Sequence, residues 1–514
     1  MSERTFPTTP PPGPRPRPGA PVAPRFRWPP VIVTVAAILG CVAIGATAGS
    51  RPLVAIVGLV ALLLALASLI RPEVATLVVI FILYSNAAVV AVTQFGMPVF
   101  IGAVVPMILV VPLAYELLIK RRIVVITPAF PWLVAFLLVQ LLGTIFARDV
   151  TSAADELVTF LLEGIGLYLL VVNVVRTPSE MRYVVWTLLA VGAFLGGLSI
   201  YQAATGTYSN DYFGFAQSDA TNDLGVTVAG LARLAGPIGE KNRYAQIMLM
   251  LVPLALFQAW SERNRLLRLA AYAVAILASG AVILTFSRGA AVGFALVVVI
   301  MVLLRYIKLW QLFLVGLLAV SMLIAVPQYA DRLTTLSAIV DTVTGSDTGT
   351  QADNSILSRA TENLAALNVF SDHPIVGVGP GQFPNYYRQY ADVIAISVKA
   401  EDRQAHNLYL STAAETGVLG LICFMMILLV TLWQLAKARR RWLGRRTDLA
   451  NMATAFSLSV VTYMTTGIFL HLSYARYFWL IMALAGAAAY MALREPDPAT
   501  ATEIAPQDVP SGVP

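Results

Sequence analysis

The side chains best suited to acid–base chemistry in this chain of 514 residues lie between residues 371 and 420. This stretch reads SDHPIVGVGPGQF and then, after a short interval, AHNLYLSTAAETGVLG. It contains His373 and His406, two of the three histidines in the chain. An imidazole exchanges protons near neutral pH, so these two residues are candidates for proton transfer or for binding an anionic ligand.

The composition places these histidines in a membrane protein. The chain is 58% hydrophobic and 12% charged, with a mean hydropathy of +0.76, which is too apolar for a soluble domain. Its apolar residues form runs long enough to cross a bilayer as helices. The first thirty residues are basic and rich in proline, and they lack the apolar segment of a signal peptide. The sequence therefore predicts an all-α polytopic membrane protein.

The apolar runs predict about fourteen transmembrane helices. They lie at residues 31–48, 53–70, 74–93, 98–118, 130–147, 157–175, 181–201, 244–260, 267–286, 290–306, 309–327, 408–436, 452–471 and 477–493. The predicted order is a disordered cytoplasmic tail (1–30), the first eleven helices (31–327), a large external loop (328–407), the last three helices (408–493) and a second disordered cytoplasmic tail (494–514).

The basic residues between these runs predict the orientation, because cytoplasmic loops retain Lys and Arg. With the first tail inside, the inner segments are RPE (71–73), KRR (120–122), RTPSEMR (176–182), SERNRLLR (261–268), RYIK (305–308) and KARRRWLGRR (437–446). The net charge of +7 is thus expected to fix topology, and it does not imply binding to nucleic acid.

Two external segments stand out by their length, residues 202–243 and 328–405. The second is predicted to contain a helix at 356–370, where apolar residues follow a helical period. The glycine run at 377–381 is not a dinucleotide-binding fingerprint, because no strand precedes it and Pro380 spoils the start of a helix. This run is predicted to form turns.

Several polar side chains are predicted to face the same external compartment or to lie in spans close to it. They are Arg233, Asn242, Arg288, His373 and His406, together with the carboxylates Glu163 and Glu415. Ionisable groups at membrane depth are costly and indicate either a functional site or a paired interior site. A cluster of this kind suits an anionic ligand that is embedded in the membrane.

Each of these residues also has a structural interpretation. Arg288 also fits an interfacial anchor that extends towards water, and Arg233 also fits a solvated loop charge. His406 and Asn407 are suited to the start of the next helix, with the Asn407 side chain as its cap. The two membrane-embedded carboxylates can pair with arginines solely to hold helices together. The sequence alone leaves these alternatives open.

An ordered series of segments resembles the O-antigen ligase and O-antigen polymerase superfamily of bacterial envelope glycosyltransferases. The segments are RLAGPIGEKNRYAQ (233–246), FSRGA around Arg288, ILSRATENLAAL from residue 356, DHPIVGVGPGQF (372–383) and HNLYLSTAAETGVLG (406–420). In the last, His406 and Asn407 are followed after nine residues by Gly417 and then by Gly420, which fits the pattern of the ligases. The combination is specific, whereas each piece alone is weak.

The resemblance implies a fold similar to class C glycosyltransferases and a metal-independent, inverting reaction without a cofactor. The donor would be a glycan linked to polyprenyl diphosphate, and the acceptor would be a glycan, a lipid or a protein. The site would lie in the bilayer of the bacterial cytoplasmic (inner) membrane and would face the periplasm or the cell exterior. Ligase and polymerase share the donor, so the sequence does not separate them.

Within this family, the residues suggest specific roles. A departing lipid diphosphate gains negative charge, which Arg288 and Arg233 are suited to stabilise. His406 is the candidate base for the acceptor hydroxyl. Substrate-binding candidates are Asn407, Arg359, His373, Asn242, Glu415 and Glu163.

Two other classes of protein compete with a glycosyltransferase. A transporter or flippase for lipid-linked oligosaccharide would need ionisable groups near the middle of the membrane and a route open to both sides. A membrane scaffold would make the external arginines and histidines replaceable. The predicted crowding of polar groups at one face favours the enzyme.

Overall fold

The computed structural model describes residues 67, 71–98, 101–219, 232–308, 310–313, 316, 354–394, 403–472 and 475–496. The first predicted tail and the predicted span at 31–48 lie outside these residues, as do nearly all of the second tail and of the span at 53–70 and most of the span at 309–327. The predicted loop is described only from residue 354 onward, and its residues 395–402 also lie outside.

Helices form most of the described chain. The first group comprises α1 (Pro72–Tyr84), α2 (Ala87–Phe95), α3 (Ile101–Met107), α4 (Val110–Ala114), π1 (Tyr115–Ile119), α5 (Phe130–Ile145), α6 (Val150–Thr159), π2 (Phe160–Gly166), α7 (Leu167–Val174) and α8 (Pro178–Thr205). The second group comprises α9 (Lys241–Ser261), α10 (Arg265–Leu284), α11 (Arg288–Leu303), α12 (Asn354–Asp372), α13 (Phe383–Ile394), α14 (Leu408–Trp442), α15 (Thr447–Thr466), a 3₁₀ turn (Gly467–Phe469) and α16 (Ala475–Arg494). Strands β1 (Gln217–Asp219) and β2 (Arg233–Gly236) pair antiparallel.

Seven helices of the described chain are long and apolar enough to cross a membrane. They are Val150–Val174, Pro178–Thr205, Lys241–Ser261, Arg265–Leu284, Leu408–Trp442, Thr447–Phe469 and Ala475–Arg494. Helices α1 and α2 together pass the same test but are bent by 59°. These helices confirm a polytopic all-α membrane protein, whereas the number of about fourteen spans stays a prediction.

Helices α9 and α16 form the centre of the bundle. Most of their side chains are buried, as expected for membrane helices that are surrounded by protein rather than lipid. Small residues in α16 allow its neighbours to come close. A Cβ atom on Gly486 would lie 2.6 Å from the hydroxyl of Tyr168 on α7. The core therefore depends on close contact between helices that are far apart in sequence.

Helix α14 is broken at Gly417, where φ is 64° and ψ is −168°. Residues 374–379, from the turn that follows α12, fill the break and satisfy the backbone groups that it frees. Four backbone hydrogen bonds of 2.8 to 3.3 Å join the two segments, with N–H donors named first: Val378 to Ala414, Gly379 to Glu415, Val418 to Pro374 and Leu419 to Ile375. The external helix α12 is thereby tied to a membrane helix.

Glycines make this close approach possible. Gly377 has a φ of +68°, and a Cβ atom there would lie 2.4 Å from the carbonyl carbon of Glu415. A Cβ atom on Gly417 would lie 2.2 Å from the carbonyl oxygen of Ile375. The glycine run at 377–381 forms turns, as the sequence predicts.

One end of the bundle, here called the basic end, gathers four of the predicted inner segments (120–122, 176–182, 261–268 and 437–446). Contacts across it join residues far apart in sequence: Arg176 to the carbonyl of Ile123, Arg182 to Glu262, Asn451 to Ser261 and Arg446 to Glu495. At the opposite end of α9 lie β1, β2, the turn at 285–287, the start of α14 and the segment after α15, here called the loop end. Its position outside the membrane stays a prediction.

Candidate functional site

Arg233, on β2, is buried at the loop end with 7% of its surface exposed. Its Nε donates to the carbonyl oxygen of Thr285 at 2.8 Å, and its Nη2 donates to that of Phe286 at 3.2 Å. The same Nη2 lies 3.5 Å from Oδ1 of Asn242. The interpretation of Arg233 as a solvated loop charge is therefore wrong, because the side chain binds the backbone of a turn inside the protein.

That turn leads directly into Arg288. Phe286 has a left-handed backbone with a φ of 53°, which is unfavourable for a residue with a side chain. Ser287 then caps helix α11, since its side chain accepts a hydrogen bond from the amide of Ala290 at 3.4 Å. The two carbonyl contacts from Arg233 hold the turn, so Arg233 fixes the direction in which α11 and Arg288 begin.

Arg243 is a second buried arginine at this end, and the sequence analysis did not single it out. It is 3% exposed, because it lies in the first turn of α9, which is buried on most sides. Its Nη1 donates to the carbonyl oxygen of His471 at 2.8 Å. Glu240 caps α9 and accepts the amide of Arg243 at 2.7 Å, which sets the start of the helix. The polar motif EKNRYAQ at the start of a membrane helix is the sequence feature from which Arg243 could have been identified.

His406 lies against a carboxylate that the sequence analysis did not pair with it. Its Nδ1 is 2.6 Å from Oε2 of Glu362, which is 1% exposed. The other oxygen of Glu362 accepts from the hydroxyl of Ser358 at 3.1 Å and lies 3.9 Å from Nε of Arg403. Ser358 and Glu362 are one turn apart on α12, so this helix places the carboxylate beside the histidine.

His471, the third histidine of the chain, connects His406 to Arg243. The two imidazole rings lie edge to face with centroids 5.7 Å apart. Burial, followed by the positive charges of Arg243 and His406, holds the pKa of His471 well below its usual value. His471 therefore stays neutral where an ordinary histidine would begin to protonate, and the site runs continuously from Arg243 to Glu362.

Asn407 has the capping role that its sequence position predicts. Its Oδ1 accepts the amides of Tyr409 and Leu410 at 3.0 and 3.2 Å, at the start of α14. A Cβ atom on Gly467 would lie 2.9 Å from the side chain of Leu408, so the start of α14 packs against the end of α15. The capped helix start fixes the position of His406, one residue before it.

The remaining candidates on and just after α12 lie at different distances from Glu362 and His406. Arg359 lies on the same turn as Ser358 and is half-buried. His373 follows the helix eleven residues after Glu362, about 16 Å along the axis. Its ring packs against Tyr386 of α13 at 5.7 Å between centroids. The structure therefore does not bring His373 to His406.

The two predicted membrane carboxylates also lie apart from His406. Glu415 accepts hydrogen bonds from the amides of Gly381 and Phe383, beside Glu156. Glu163, on π2, accepts a backbone hydrogen bond from Arg476 and lies near its charge. Contact with an arginine at the start of α16 supports the interpretation of Glu163 as a link between helices.

No group of three or more His, Cys, Asp or Glu side chains that could hold a metal ion is found among the residues that the structure describes. The chemistry that this part of the chain offers is that of guanidinium groups, an imidazole and a buried carboxylate. Such a set can bind an anion and exchange a proton.

Comparison with known proteins agrees with this chemistry. Residues 273–425 match a family model described as O-Antigen ligase, and no curated protein matches the chain. The match begins in α10 and ends in α14, so it includes Arg288, Glu362, His406 and the broken helix. Residues 273–425 are thus similar to the O-antigen ligase family, which supports the resemblance that the motifs indicate.

Proposed function

We propose that this protein transfers a glycan, with inversion and without a metal ion, from a polyprenyl-diphosphate-linked donor to an acceptor hydroxyl. The reaction takes place at the external face of the cytoplasmic membrane. The family match supports a glycosyltransferase, and the spans support a membrane-bound substrate. The observation that carries the proposal is the connection between a cationic cluster and His406 at one end of the bundle.

The arginines supply positive charge for the diphosphate. Arg233 and Arg243 donate to carbonyl oxygens, and these contacts satisfy hydrogen bonds without neutralising the guanidinium charge. Arg288 begins helix α11, whose positive dipole end adds to the same field. Arg288 binds the diphosphate oxygens directly, and Arg233 holds the turn that positions Arg288 while contributing its own charge.

His406 acts as the base in this reaction. The acceptor oxygen forms a bond to the anomeric carbon while the bond from that carbon to the diphosphate oxygen breaks. The electron pair leaves with the diphosphate, where the arginines stabilise the negative charge. The hydroxyl proton passes to the imidazole of His406. The donor supplies the energy, so the step needs no nucleotide.

The other candidates are assigned supporting roles. Asn407 positions His406 through the helix cap, and Asn242 orients Arg233. Arg359 contacts the glycan from α12, and His373 lies further along that helix as a contact for a longer glycan. Glu415 and Glu163 hold the surrounding helices, through the loop at 381–383 and through Arg476.

Purified protein in detergent tests the proposal directly. Supplied with a lipid-linked glycan donor and a hydroxyl acceptor, without nucleotide or ion gradient, it is expected to form the transferred product and release the lipid diphosphate. Chelators are expected to leave the rate unchanged. Movement of the donor across vesicle membranes without any transfer would instead identify a flippase.

Glycolipid profiling of a deletion strain separates the two enzymes of this class. Accumulation of the full-length lipid-linked polymer identifies a ligase, because polymerisation has already finished. Accumulation of single lipid-linked repeats identifies a polymerase. An unchanged glycolipid profile would contradict both activities.

A further inference from the structure

Glu362 has the geometry of a group that acts through His406. The Oε2 of Glu362 lies 2.6 Å from Nδ1 of His406, and the carboxylate side chain is 1% exposed while the imidazole is 25% exposed. One member of the pair is thus sealed inside the protein, and the other reaches towards the site. A carboxylate in this position is shielded from water and interacts strongly with its single histidine partner.

The contact selects a tautomer of His406. An ionised carboxylate only accepts hydrogen bonds, so a neutral imidazole beside it carries its proton on Nδ1. The other ring nitrogen, Nε2, is then the basic atom. Without the carboxylate, the imidazole is free to hold its proton on either nitrogen, and only one of the two tautomers leaves Nε2 ready to accept a proton.

The protein also fixes the carboxylate itself. Oε1 of Glu362 accepts from Ser358 at 3.1 Å, one turn earlier on α12, and faces Arg403 at 3.9 Å. These contacts occupy Oε1 and leave Oε2 directed at His406. Helix α12 is in turn tied to α14 by the loop that fills the break at Gly417. The pairing is therefore set by the fold and not by two mobile side chains.

The charges around His406 give the carboxylate a second task. His471 lies edge to face with His406, and Arg243 donates to the backbone carbonyl of His471 on the far side, so neither neighbour brings a negative charge to the ring. Arg403, from the segment before α14, adds positive charge on the side of Glu362. Among the residues that the structure describes, Glu362 is a negative group in contact with the ring, placed to offset the charge that His406 gains when it accepts a proton.

We propose that Glu362 is the positioning residue of the transfer reaction: it fixes the tautomer of His406 and stabilises its protonated form. This inference rests on the proposed function, since it assigns a partner to the base of that reaction. It also gives α12 a role in the chemistry, because this helix of the large loop carries the partner of the base.

The substitution Glu362→Gln tests the inference, because it keeps the shape and removes the charge. We expect kcat to fall by about 100- to 1000-fold, within the range of a general base, while KM for the donor changes little. Glu362→Asp keeps the charge and is expected to recover part of the lost rate. Rates are measured with the detergent-purified enzyme and a lipid-linked donor.

The pH dependence separates positioning from a purely structural role. An amide stabilises a protonated imidazole less than a carboxylate does, so the acidic limb of the kcat profile of Glu362→Gln is expected to move to lower pH. The matched control is Glu262→Gln at the basic end, which removes another buried carboxylate, paired with Arg182. The control is expected to keep the wild-type profile.

The outcomes distinguish the two proposals. A wild-type rate in His406→Ala would overturn the role of His406 and the inference with it. An inactive His406→Ala together with wild-type kcat and pH profile in Glu362→Gln would overturn only the inference. If Glu362→Gln does not fold, Ser358→Ala decides: a loss in kcat of about 2- to 10-fold is expected, and an unchanged kcat would contradict the inference.

Discussion

The two ends of the helical bundle hold their buried charges in different ways. At the basic end, buried carboxylates are paired with cations. Glu116 lies 2.5 Å from Lys120 and 2.9 Å from Arg122, and Glu262 lies 2.8 Å from Arg182. Each carboxylate cancels charge that would be costly to bury alone. The Glu116 contacts are local to one segment, whereas the contact between Arg182 and Glu262 joins α8 to the end of α9.

At the loop end, Lys241 pairs with Asp219 at 2.8 Å, and two buried arginines donate to backbone oxygens. Arg233 and Arg243 donate to the carbonyl oxygens of Thr285, Phe286 and His471. A carbonyl oxygen fixes a guanidinium in place while the charge of that group remains. In the proposed function, the arginines of the loop end add positive charge for the diphosphate, whereas those of the basic end hold the bundle together.

The largest expected effect is that of His406→Ala. Removing the proposed base is expected to lower the transfer rate by about 10²- to 10⁴-fold, because the acceptor hydroxyl loses its proton acceptor. Membrane insertion and thermal stability are expected to stay near wild type. The check is the transfer rate of purified protein, with Arg182→Gln at the basic end as the comparison. Comparable losses of transfer rate in His406→Ala and Arg182→Gln would show that the two ends do not differ in their importance for the reaction.

The next effect compares the two ends of a single helix, α11. Arg288 begins this helix at the loop end, and Arg305 follows its other end. Arg288→Ala is expected to lower kcat by about 10²- to 10³-fold, because the leaving diphosphate loses a positioned donor. Arg288→Lys is expected to recover part of the rate, since lysine retains the charge without the planar fork.

Arg305→Ala is the matched control for Arg288. Arg305 is exposed at the basic end, and its substitution is expected to leave kcat unchanged. Both variants are compared in the same detergent at equal protein concentration. If Arg305→Ala lost as much activity as Arg288→Ala, the loss would reflect the removal of any positive charge, and the proposed position of the active site at the loop end would be wrong.

Substitutions at two glycines compare how strongly the loop in the break of α14 and the basic end contribute to stability. Gly377 and Gly444 both have positive φ, at +68° and +78°, so alanine costs about 1–2 kcal/mol of backbone strain at either position. At Gly444, at the basic end, a Cβ atom would meet nothing within 4 Å. At Gly377 it would lie 2.4 Å from the backbone of Glu415.

We therefore expect Gly377→Ala to reduce the free energy of unfolding by about 3 kcal/mol or more, and Gly444→Ala by about 1 kcal/mol. Thermal unfolding in detergent measures the difference. Equal midpoints would show that the loop in the break of α14 accommodates an added methyl group without loss of stability. The inference that this loop couples α12 rigidly to α14 would then be wrong.

The smallest effect is the dependence of stability on pH that His471 confers. Burial and the charges of Arg243 and His406 lower the pKa of His471 in the folded protein. In the unfolded chain, this histidine regains a pKa of about 6.5 and binds a proton below that pH. The unfolded state then binds more protons, so stability rises with pH and falls as the pH drops below about 6.5.

The loss attributable to His471 is about 1.4 kcal/mol per pH unit at most, until the lowered pKa is reached. His471→Gln is expected to remove this part of the slope. Arg243→Gln is expected to reduce it, because one source of the lowered pKa is removed. Unfolding midpoints are measured between pH 5 and pH 7.5 for the wild type and the two variants. Identical slopes of midpoint against pH in all three would contradict the lowered pKa of His471.

Several features of the fold could be predicted from the sequence because their causes are local. The predicted helix at 356–370 lies within α12, Asn407 caps α14 as predicted, and the glycine run at 377–381 forms turns. A cap, a turn and a helical period each depend on residues a few positions apart. The glycines at 417 and 420 were identified only as a pattern, and the structure supplies the reason for Gly417.

The site was only partly predictable because its contacts join distant positions. Glu362 and His406 are separated by 44 residues, and Arg243 and His471 by 228. Nothing in the sequence around Glu362 distinguishes it from the other acidic residues of the predicted loop. Arg233 lies in a polar segment, so a solvent-exposed position was one of the alternatives, but the structure buries its side chain.

The sequence by itself determined a helical membrane protein, the positions of its basic segments and the similarity of residues 273–425 to the O-antigen ligase family, because apolar runs, charge counts and motifs are read along the chain. Only the tertiary structure decided which carboxylate faces His406 and which oxygens hold the arginines. Those pairings depend on how α9, α12, α14 and α16 pack, and packing depends on shape complementarity between segments that the linear order keeps apart.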